Sequence, residues 1–239
     1  MRRMAEKTEK TTPRQRARVQ TIKDIKRIAR RQLATEGSGA LSLRAIAREL
    51  GIVSSAIYRY VPSRDELLTM LIVDAYDGLG AEAEKAEARV ERADFRGRWL
   101  AIGTAVRAWA VRHPEQYGLL YGSPVPGYAA PPERTIVPGT RVTLLILRMI
   151  TEANAAGQGA SPVPVPEIPP EVTTRYPELR EETGTDIPDD LMARTLLAWT
   201  SIFGLIGFEL GGQYVGIADD LAAHFGHQLN RLATYLGLT

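Results

Sequence analysis

One segment of this chain dictates its architecture: residues 41–68, with the sequence LSLRAIARELGIVSSAIYRYVPSRDELL. Apolar residues recur at helical spacing in its first part and form one face: Leu43, Ile46, Ala47 and Leu50. Ser42 precedes that face, where its hydroxyl can accept an unpaired backbone N–H as an N-cap. Gly51 follows the face at a position that favours a positive φ, so the pattern predicts a helix that ends in a turn.

A second short helix is predicted after the turn, because Ile52 and Ile57 can return to the same small core. Pro62 ends this helix, and the polar residues 63–66 open a third one. Two short helices around a glycine turn form a helix-turn-helix, and the second helix of such a motif can lie in a DNA major groove. The alternative interpretation is a helical hairpin in an unrelated all-α protein.

The same residues resemble the DNA-binding segment of the TetR family of bacterial transcriptional regulators. The family pattern is an Ile-Ala pair, a Leu-Gly-Val turn, a Leu-Tyr pair, an aromatic residue or His, and Lys-Asp-x-Leu-Leu. This chain matches it with Ile46-Ala47, Leu50-Gly51-Ile52, Ile57-Tyr58, Tyr60 and Arg64-Asp65-Glu66-Leu67-Leu68. The resemblance implies an all-α fold, with an N-terminal three-helix helix-turn-helix DNA-binding domain and a C-terminal helical domain for ligand binding and dimerisation.

The resemblance also implies which residues touch DNA, by their positions in the motif. These are Ser42, Arg44, Ser54, Ser55, Ala56, Tyr58, Tyr60 and Arg64. A guanidinium at Arg44 matches guanine O6 and N7, whereas the phenol hydroxyls of Tyr58 and Tyr60 suit phosphate oxygens. The family commonly has a capping Ser or Thr where this chain has Val53, so we expect Ser54 to cap the reading helix one residue later.

Charge is concentrated at the N-terminus, where the first 31 residues hold twelve Lys or Arg and three acids. Such a basic end suggests contact with a polyanion, the alternative being a solvated tail without a partner. We expect residues 1–20 to form a disordered basic arm and residues 21–67 to form the helix-turn-helix domain, whose first helix spans 21–36. No apolar run follows the N-terminal charges, so no signal peptide is expected.

Composition narrows the class of protein further. The 239 residues are 44% hydrophobic and 24% charged, as in a soluble globular protein. The chain has no cysteine, which excludes disulfides and thiolate metal sites and is compatible with the cytoplasm. His224 and His227 share a helix face but lack a third ligand at metal-binding spacing. No phosphate loop, nucleophile elbow or paired carboxylates are evident, so we expect no catalytic residue, metal or cofactor, and hence no enzyme.

Residues 68–239 are predicted to form the C-terminal helical domain. The helix that opens at residues 63–66 is predicted to end near residue 90. Five further helices are predicted at 95–112, 114–121, 135–156, 189–210 and 219–236. The uncharged stretch 195–208 is too short to cross a bilayer and is interpreted as a buried helix, so no membrane partner is expected. Seven prolines lie between Pro162 and Pro188. The Pro-rich loop at 157–188 is therefore expected to be disordered, the alternative being a semi-rigid cover.

This half of the chain resembles one TetR subgroup, which carries a Trp-x-x-x-His-Gly segment in its C-terminal domain. The shared motifs are His113-Pro114-Glu-Gln-Tyr117, Pro124-Val-Pro-Gly-Tyr128 and Trp199-Thr-Ser-Ile-Phe203-Gly204. Phe203 stands where the subgroup has His, so a ligand or dimer contact made by that His is not carried over.

Two further sets of residues are candidates for function. Large side chains either line an apolar effector pocket or pack as ordinary core: Trp99, Trp109, Tyr117, Tyr121, Met149, Trp199 and Phe203. In the resembling family the last two helices pair with their twin, which implies a dimer interface at Gly204, Gly207, Gly211 and Phe225. The chain is thus expected to be a homodimeric repressor that reads a palindromic double-stranded operator and responds to a mostly apolar small molecule. An architectural DNA binder without a ligand is the alternative, ahead of a helical enzyme or adaptor.

Overall fold

The computed structural model describes residues 12–164 and 166–239, and within these ranges it contains helices and no strand. This confirms the all-α prediction. The longer helices are α1 Pro13–Glu36, α2 Leu43–Glu49, α3 Ser54–Ile57, α4 Arg64–Glu87, α5 Phe95–Arg112, α6 Pro114–Tyr121, α7 Pro132–Ala155, α8 Pro170–Thr173, α9 Tyr176–Thr183, α10 Asp189–Leu210 and α11 Leu221–Tyr235. A single 3-10 turn, Ser38–Ala40, precedes α2.

The chain divides into two compact units, which we call the N-terminal and C-terminal units. The N-terminal unit comprises the chain up to Leu71 together with Val125–Ala129, and the C-terminal unit comprises Ile72–Pro124 and Ala130–Thr239. Helix α4 begins in the first unit and ends in the second. The loop 125–129 was assigned to the C-terminal domain by sequence, but the Tyr128 hydroxyl lies 2.9 Å from Thr69 Oγ1 within the N-terminal unit.

Helix α1 begins at Pro13, so residues 13–20 are helical and the prediction that they belong to a disordered arm was wrong. The reason is a capping box. Thr12 Oγ1 accepts from the Gln15 backbone N–H at 3.2 Å, and Gln15 Oε1 accepts from the Thr12 N–H at 2.7 Å. Pro13 fits the first helical position because its missing N–H would have had no partner there. The prediction for residues 1–11 lies outside the described residues.

The N-terminal unit closes around aliphatic side chains from three helices. Ile25 and Ile28 of α1, Ile46 of α2 and Ile57 of α3 are all buried. Ser42 caps α2 as predicted, because its hydroxyl accepts from the Ala45 N–H. Gly51 has a φ of +67° in the turn between α2 and α3, a conformation in which a Cβ is unfavourable.

In the C-terminal unit, α5 packs against α7, α10 and α11. Trp99 on α5 is fully buried, and its Nε1 donates to the Leu229 carbonyl at 3.0 Å. Gly103, one turn further along, allows α11 to come close, because a Cβ there would lie 2.5 Å from Leu229 Cδ1. Burying aromatic and aliphatic surface of this extent is the main source of stability for the unit.

One buried arginine and one at the surface add fixed polar contacts to this core. Arg98 is 1% exposed and pairs with Glu87 at 2.6 Å and with Glu152 at 2.7 Å. Arg92 bridges the same two carboxylates from the surface. Burial raises the pKa of Glu152, but the Arg98 hydrogen bond and the charges of both arginines more than offset this and lower it overall. Glu152 therefore stays ionised, and the contacts of Arg98 with Glu87 and Glu152 join α4, α5 and α7.

The segment 157–188 is ordered throughout its described part, so the prediction of disorder was wrong. It contains α8 and α9, and it buries Tyr176 and Ile187. Arg194 on α10 is buried, with Nη2 donating to the Gly159 carbonyl at 2.6 Å. Arg180 Nη2 donates to the Ile187 carbonyl at 2.7 Å. The Arg194 contact spans 35 residues and the Arg180 contact spans seven, and together they fix the proline-rich stretch at both of its ends.

Helix α10 is the one helix of the described ranges that is long and apolar enough to cross a membrane by length and composition. Its apolar residues have another role in the fold, since Leu191, Ile202 and Ile206 are buried in the core of the C-terminal unit. The core helix of a globular protein passes the same test, and α10 packs as such a helix.

Candidate nucleic-acid interface and aromatic cleft

The candidate nucleic-acid interface consists of side chains of α2, α3 and the turns around them. Arg44 on α2 and Ser54 and Ser55 on α3 are exposed, and Tyr58 is 44% exposed. The remaining residues of the predicted contact set are half-buried: Ser42, Ala56, Tyr60 and Arg64. The structure thus leaves the predicted polar groups at the surface of a unit whose aliphatic core holds the helices in place.

The N-terminus of α3 differs from the expectation. Val53 occupies the N-cap position without a side-chain hydrogen bond, and Ser54 is already the first helical residue. The prediction that Ser54 caps the helix was therefore wrong, because a cap must lie one residue before the helix and accept a backbone N–H from inside it. Neither the Ser54 nor the Ser55 hydroxyl caps α3, so both are available for an external partner.

Arg18 is a neighbour of this interface that sequence reasoning missed. Its Nη1 donates to the Arg59 carbonyl at 3.0 Å, and its Cζ lies 5.4 Å from the centre of the Tyr60 ring. The Arg18–Arg59 pair is separated by 41 residues in sequence. The early start of α1 puts this guanidinium beside the end of α3, and that start was missed because Pro13 was interpreted as part of a disordered arm.

In the C-terminal unit, four of the seven predicted pocket residues come together in an aromatic cleft. Tyr117, Tyr121, Trp199 and Phe203 line a cavity of about 450 Å³, with Thr200, Gly204, Gly207 and Phe208. The Tyr121 and Phe203 rings are 4.4 Å apart between centroids. The Tyr117 hydroxyl donates to the Phe203 carbonyl at 2.6 Å. We call this cavity the aromatic cleft.

The aromatic cleft has no charged side chain among its lining residues. Burial raises the pKa of Tyr117 to about 12 and also raises that of Tyr121, so both phenols stay neutral at physiological pH. Trp199 Nε1 is buried and has no hydrogen-bond partner within the described residues. An unpaired buried N–H costs free energy unless an acceptor reaches it.

The other three predicted pocket residues lie elsewhere. Trp99 and Met149 are fully buried in the core, and Trp109 is almost so. The structure therefore places these three side chains in ordinary packing, the alternative already considered for this set. Helical spacing alone does not separate a core position from a cavity wall, because both are apolar and face inward.

The predicted dimer residues also separate into two groups. Gly204 is exposed and Gly207 half-buried on α10, and Gly211, which caps the C-terminus of that helix, is exposed. A Cβ built at Gly204 would meet no atom. Phe225 on α11 is buried within its own unit, with the Arg107 guanidinium 5.7 Å from the centre of its ring. Exposed apolar side chains flank the glycines on α10, namely Leu197 and Phe208, which are 53% and 57% exposed.

The described residues contain no group of three His, Cys, Asp or Glu side chains placed to hold a metal ion. The chemistry of the two surfaces is instead that of recognition. One offers guanidinium, hydroxyl and phenol groups around a helix-turn-helix, and the other offers an apolar aromatic cleft. This combination defines a DNA-binding protein with a second helical domain.

Comparison with known proteins agrees with that class. Residues 26–71 match the family described as "Bacterial regulatory proteins, tetR family", and residues 99–232 match "Tetracyclin repressor-like, C-terminal domain". The HTH-type transcriptional regulator Rv1816 of Mycobacterium tuberculosis is 42% identical over 200 residues, which are 83% of this chain and 84% of that protein. The regulator Mb1846 of Mycobacterium bovis matches to the same extent.

Solved structures give the same answer. The regulatory protein SCO4313 superposes with a TM-score of 0.74 at 33% identity, over 92% of this chain and 98% of that one. A protein from Rhodococcus sp. RHA1 superposes with a TM-score of 0.65 at 24% identity, over 95% and 98% of the two chains, and shows the fold alone. The chain belongs to the TetR family of bacterial transcriptional regulators. It is a DNA-binding regulator and not an enzyme.

Proposed function

We propose that this regulator is a homodimeric repressor that leaves its operator when a neutral aromatic molecule enters the aromatic cleft. The operator is a palindromic duplex, and the protein acts on it in the cytoplasm. The observation that carries the DNA part is the set of exposed polar side chains on α2, on α3 and directly after α3, namely Arg44, Ser54, Ser55 and Tyr58, over a mostly aliphatic core. Arg44 reads a guanine edge or holds a phosphate, and Tyr58 positions the duplex.

The homodimer is supported by the outer face of α10. Leu197, Gly204, Phe208 and Gly211 recur at intervals of seven, four and three residues and thus share one helix face. Two large exposed apolar residues beside glycines suit the close packing of a second copy of α10. A dimer with a two-fold axis presents two identical reading heads, which is the symmetry of a palindromic operator.

The effector class follows from the lining of the aromatic cleft. Five aromatic side chains line it and favour a flat aromatic ligand, which stacks on them or meets their edges. Without a charged lining residue, an ionised ligand would lose its hydration and gain no ion pair. Trp199 contributes its indole ring to this wall. Phe203, which replaces the subgroup's His, keeps this wall apolar.

The proposed response requires that the ligand bind the operator-free state more tightly than the operator-bound state. Gly204 and Phe208 line the cleft and also lie on the proposed dimer face. A ligand in the cleft therefore alters the surface that sets how the two copies pack. This is the route by which it changes the match between two reading heads and one operator.

The DNA part is tested by binding of duplexes from upstream of the regulator's own gene, measured by fluorescence anisotropy over a salt series. Arg44→Ala is expected to weaken operator binding by about 1–3 kcal/mol. Arg89→Ala removes the same charge from an exposed position in the C-terminal unit and serves as the matched control. Equal affinities for Arg44→Ala and the wild type would contradict the assigned reading face.

The dimer is tested by sedimentation velocity. Phe208→Glu is expected to convert the dimer to monomers, because an ionised side chain would be buried in the interface. Val137→Glu is the control, since Val137 is 76% exposed and lies on α7. A monomeric wild type would contradict the proposal.

The effector is sought by a thermal-shift screen of neutral aromatic compounds, followed by operator binding with each stabilising compound. A compound that acts through the aromatic cleft is expected to lower operator affinity. Trp199→Ala is expected to weaken binding of that compound by about 1 kcal/mol, because one aromatic ring of the cleft wall is lost. Stabilising compounds that leave operator affinity unchanged would favour a DNA-binding protein without ligand control.

A further inference from the structure

A second cleft lies in the N-terminal unit, between the first turns of α1 and the turn that follows α3. It has a volume of about 400 Å³, and its walls include Thr12, Arg14, Gln15, Arg18, Arg59 and Tyr60. We call it the arginine cleft. It exists because the Thr12–Gln15 capping box starts α1 at Pro13, so that the first turns of this helix lie beside Tyr60.

The charged side chains that line the arginine cleft are all positive. Arg14, Arg18 and Arg59 line it, and no acidic side chain does. None of the ion pairs found in the described ranges involves any of these three guanidiniums. Three guanidiniums around one cleft repel one another, and a bound anion would relieve that repulsion.

Arg18 is held in place before any ligand arrives. Its Nη1 donates to the Arg59 carbonyl at 3.0 Å, and it stacks over the Tyr60 ring at 5.4 Å. One hydrogen bond leaves most of its five N–H donors for a ligand. Guanidinium N–H groups form paired hydrogen bonds with phosphate oxygens, so an arginine fixed in this way suits a phosphate better than a mobile lysine would.

We propose that the arginine cleft binds a phosphodiester of the operator backbone, so that each head grips the duplex with α1 as well as with α2 and α3. Tyr60 connects the arginine cleft with the reading face of α2 and α3. It follows the end of α3 by three residues, and the Arg18 guanidinium stacks on its ring. Tyr60 then acts as a positioning residue for Arg18, through its ring and not only through its hydroxyl. The inference rests on operator binding through α2 and α3, as proposed above.

The test is the salt dependence of operator binding by the full-length chain. Each lost phosphate contact is expected to lower the slope of log K against log salt by about 0.9 and to weaken binding about threefold to tenfold at fixed salt. Arg14→Ala and Arg18→Ala are expected to show this change. Arg16→Ala is the matched control, because Arg16 is exposed on the same helix but does not line the cleft. An equal loss with Arg16→Ala would overturn the assignment to the cleft.

The positioning role of Tyr60 is tested by a double-mutant cycle. Tyr60→Phe keeps the ring and is expected to retain the contribution of Arg18 to the slope, whereas Tyr60→Leu loses it. In the Tyr60→Leu background, Arg18→Ala is expected to have little further effect, since the two residues act together. Full additivity of the two substitutions would overturn the positioning role. Circular dichroism of every variant confirms that the helices are intact.

A free anion has the same chemistry as a backbone phosphate, so inorganic phosphate is titrated in a thermal-shift assay at constant ionic strength without DNA. Stabilisation by phosphate that Arg14→Ala abolishes, with unchanged operator slopes, would assign the cleft to a free anion and overturn the proposal. Operator binding that weakens with Arg44→Ala but not with the cleft variants would overturn the arginine cleft alone. Binding that weakens with neither would overturn the reading face as well.

Discussion

The two units of this regulator bury different chemistry. The N-terminal unit closes over aliphatic side chains, and Thr69 is its one buried polar residue among those described. The C-terminal unit buries Trp99 and Trp109 together with the charged Arg98, Glu87 and Arg194. Aliphatic core residues need no hydrogen-bond partners, so the surface polar groups of the N-terminal unit are free to contact DNA. A core with aromatic and charged groups needs specific partners for its polar atoms, and Trp199, which lines the aromatic cleft, has a buried Nε1 without a hydrogen-bond partner within the described residues.

This difference predicts that single substitutions cost most where a charge is buried. Arg98→Met leaves Glu87 without its buried partner and is expected to lower the free energy of unfolding by about 3–5 kcal/mol. Arg92→Met removes a 60% exposed partner of the same carboxylate and is expected to cost less than about 1 kcal/mol. Urea unfolding measures both, and Glu87→Gln in the Arg98→Met background is expected to recover part of the loss. Equal costs for the two arginines would contradict the attribution of the larger loss to burial of the charge.

The aliphatic core is tested by Ile46→Ala, which creates a cavity in the N-terminal unit and is expected to cost about 2–5 kcal/mol. Ile46→Val is the graded control, with an expected cost of about 0.5–1.5 kcal/mol. Hydrogen exchange locates the effect, which is expected in α1 to α3 and not in α5 or α7. Faster exchange in α5 and α7 would show that the two cores are not energetically separate.

Alkaline pH probes the aromatic part of the C-terminal unit. Burial raises the pKa of Tyr117 from its usual 10 to about 12 in the folded protein. The unfolded chain therefore loses the Tyr117 proton at a lower pH than the folded protein does. The free energy of unfolding keeps its full value below pH 10 and falls as the pH rises towards 12, by about 1.4 kcal/mol at pH 11. Urea unfolding at pH 9 and pH 11 measures it, and Tyr117→Phe is expected to lose less over this interval. The same pH dependence in Tyr117→Phe would exclude Tyr117 as its source.

The smallest expected effect comes from one substitution with opposite signs in the two units. Gly51→Ala places a Cβ at a φ of +67° with no neighbour within 4 Å, so the backbone alone is expected to cost about 1 kcal/mol. Gly118→Ala in α6 meets no atom and has ordinary helical geometry. It is expected to stabilise by about 0.5–1 kcal/mol. Melting temperatures that shift in the same direction would contradict the backbone explanation.

Sequence reasoning succeeded where the signal is local. The cap at Ser42, the positive φ at Gly51 and the helix α6 that starts at Pro114 follow from a few adjacent residues, and the structure has them. The start of α1 was also signalled locally, by the capping box of Thr12 and Gln15, but Pro13 was interpreted as a mark of disorder. That error hid the arginine cleft.

What could not be predicted depends on contacts between distant residues. The segment 157–188 is fixed by buried groups such as Tyr176 and by Arg194, whose guanidinium reaches back 35 residues to the Gly159 carbonyl. The aromatic cleft raises the same difficulty. Trp199 and Trp109 are equally apolar in sequence, yet one lines a cleft and the other packs in the core, because their helices meet different neighbours.

The stacking of Arg18 on Tyr60 has a consequence for the timing of recognition. A guanidinium that is already fixed gives up little rotational freedom when it binds, so its loss is expected to shorten the lifetime of the complex. Arg14 is exposed at the first turn of α1 and attracts the duplex from a distance, so its loss is expected to slow the encounter. Two arginines four residues apart are thereby expected to act on different rate constants, Arg14 on association and Arg18 on dissociation. Stopped-flow measurements resolve the two rates separately.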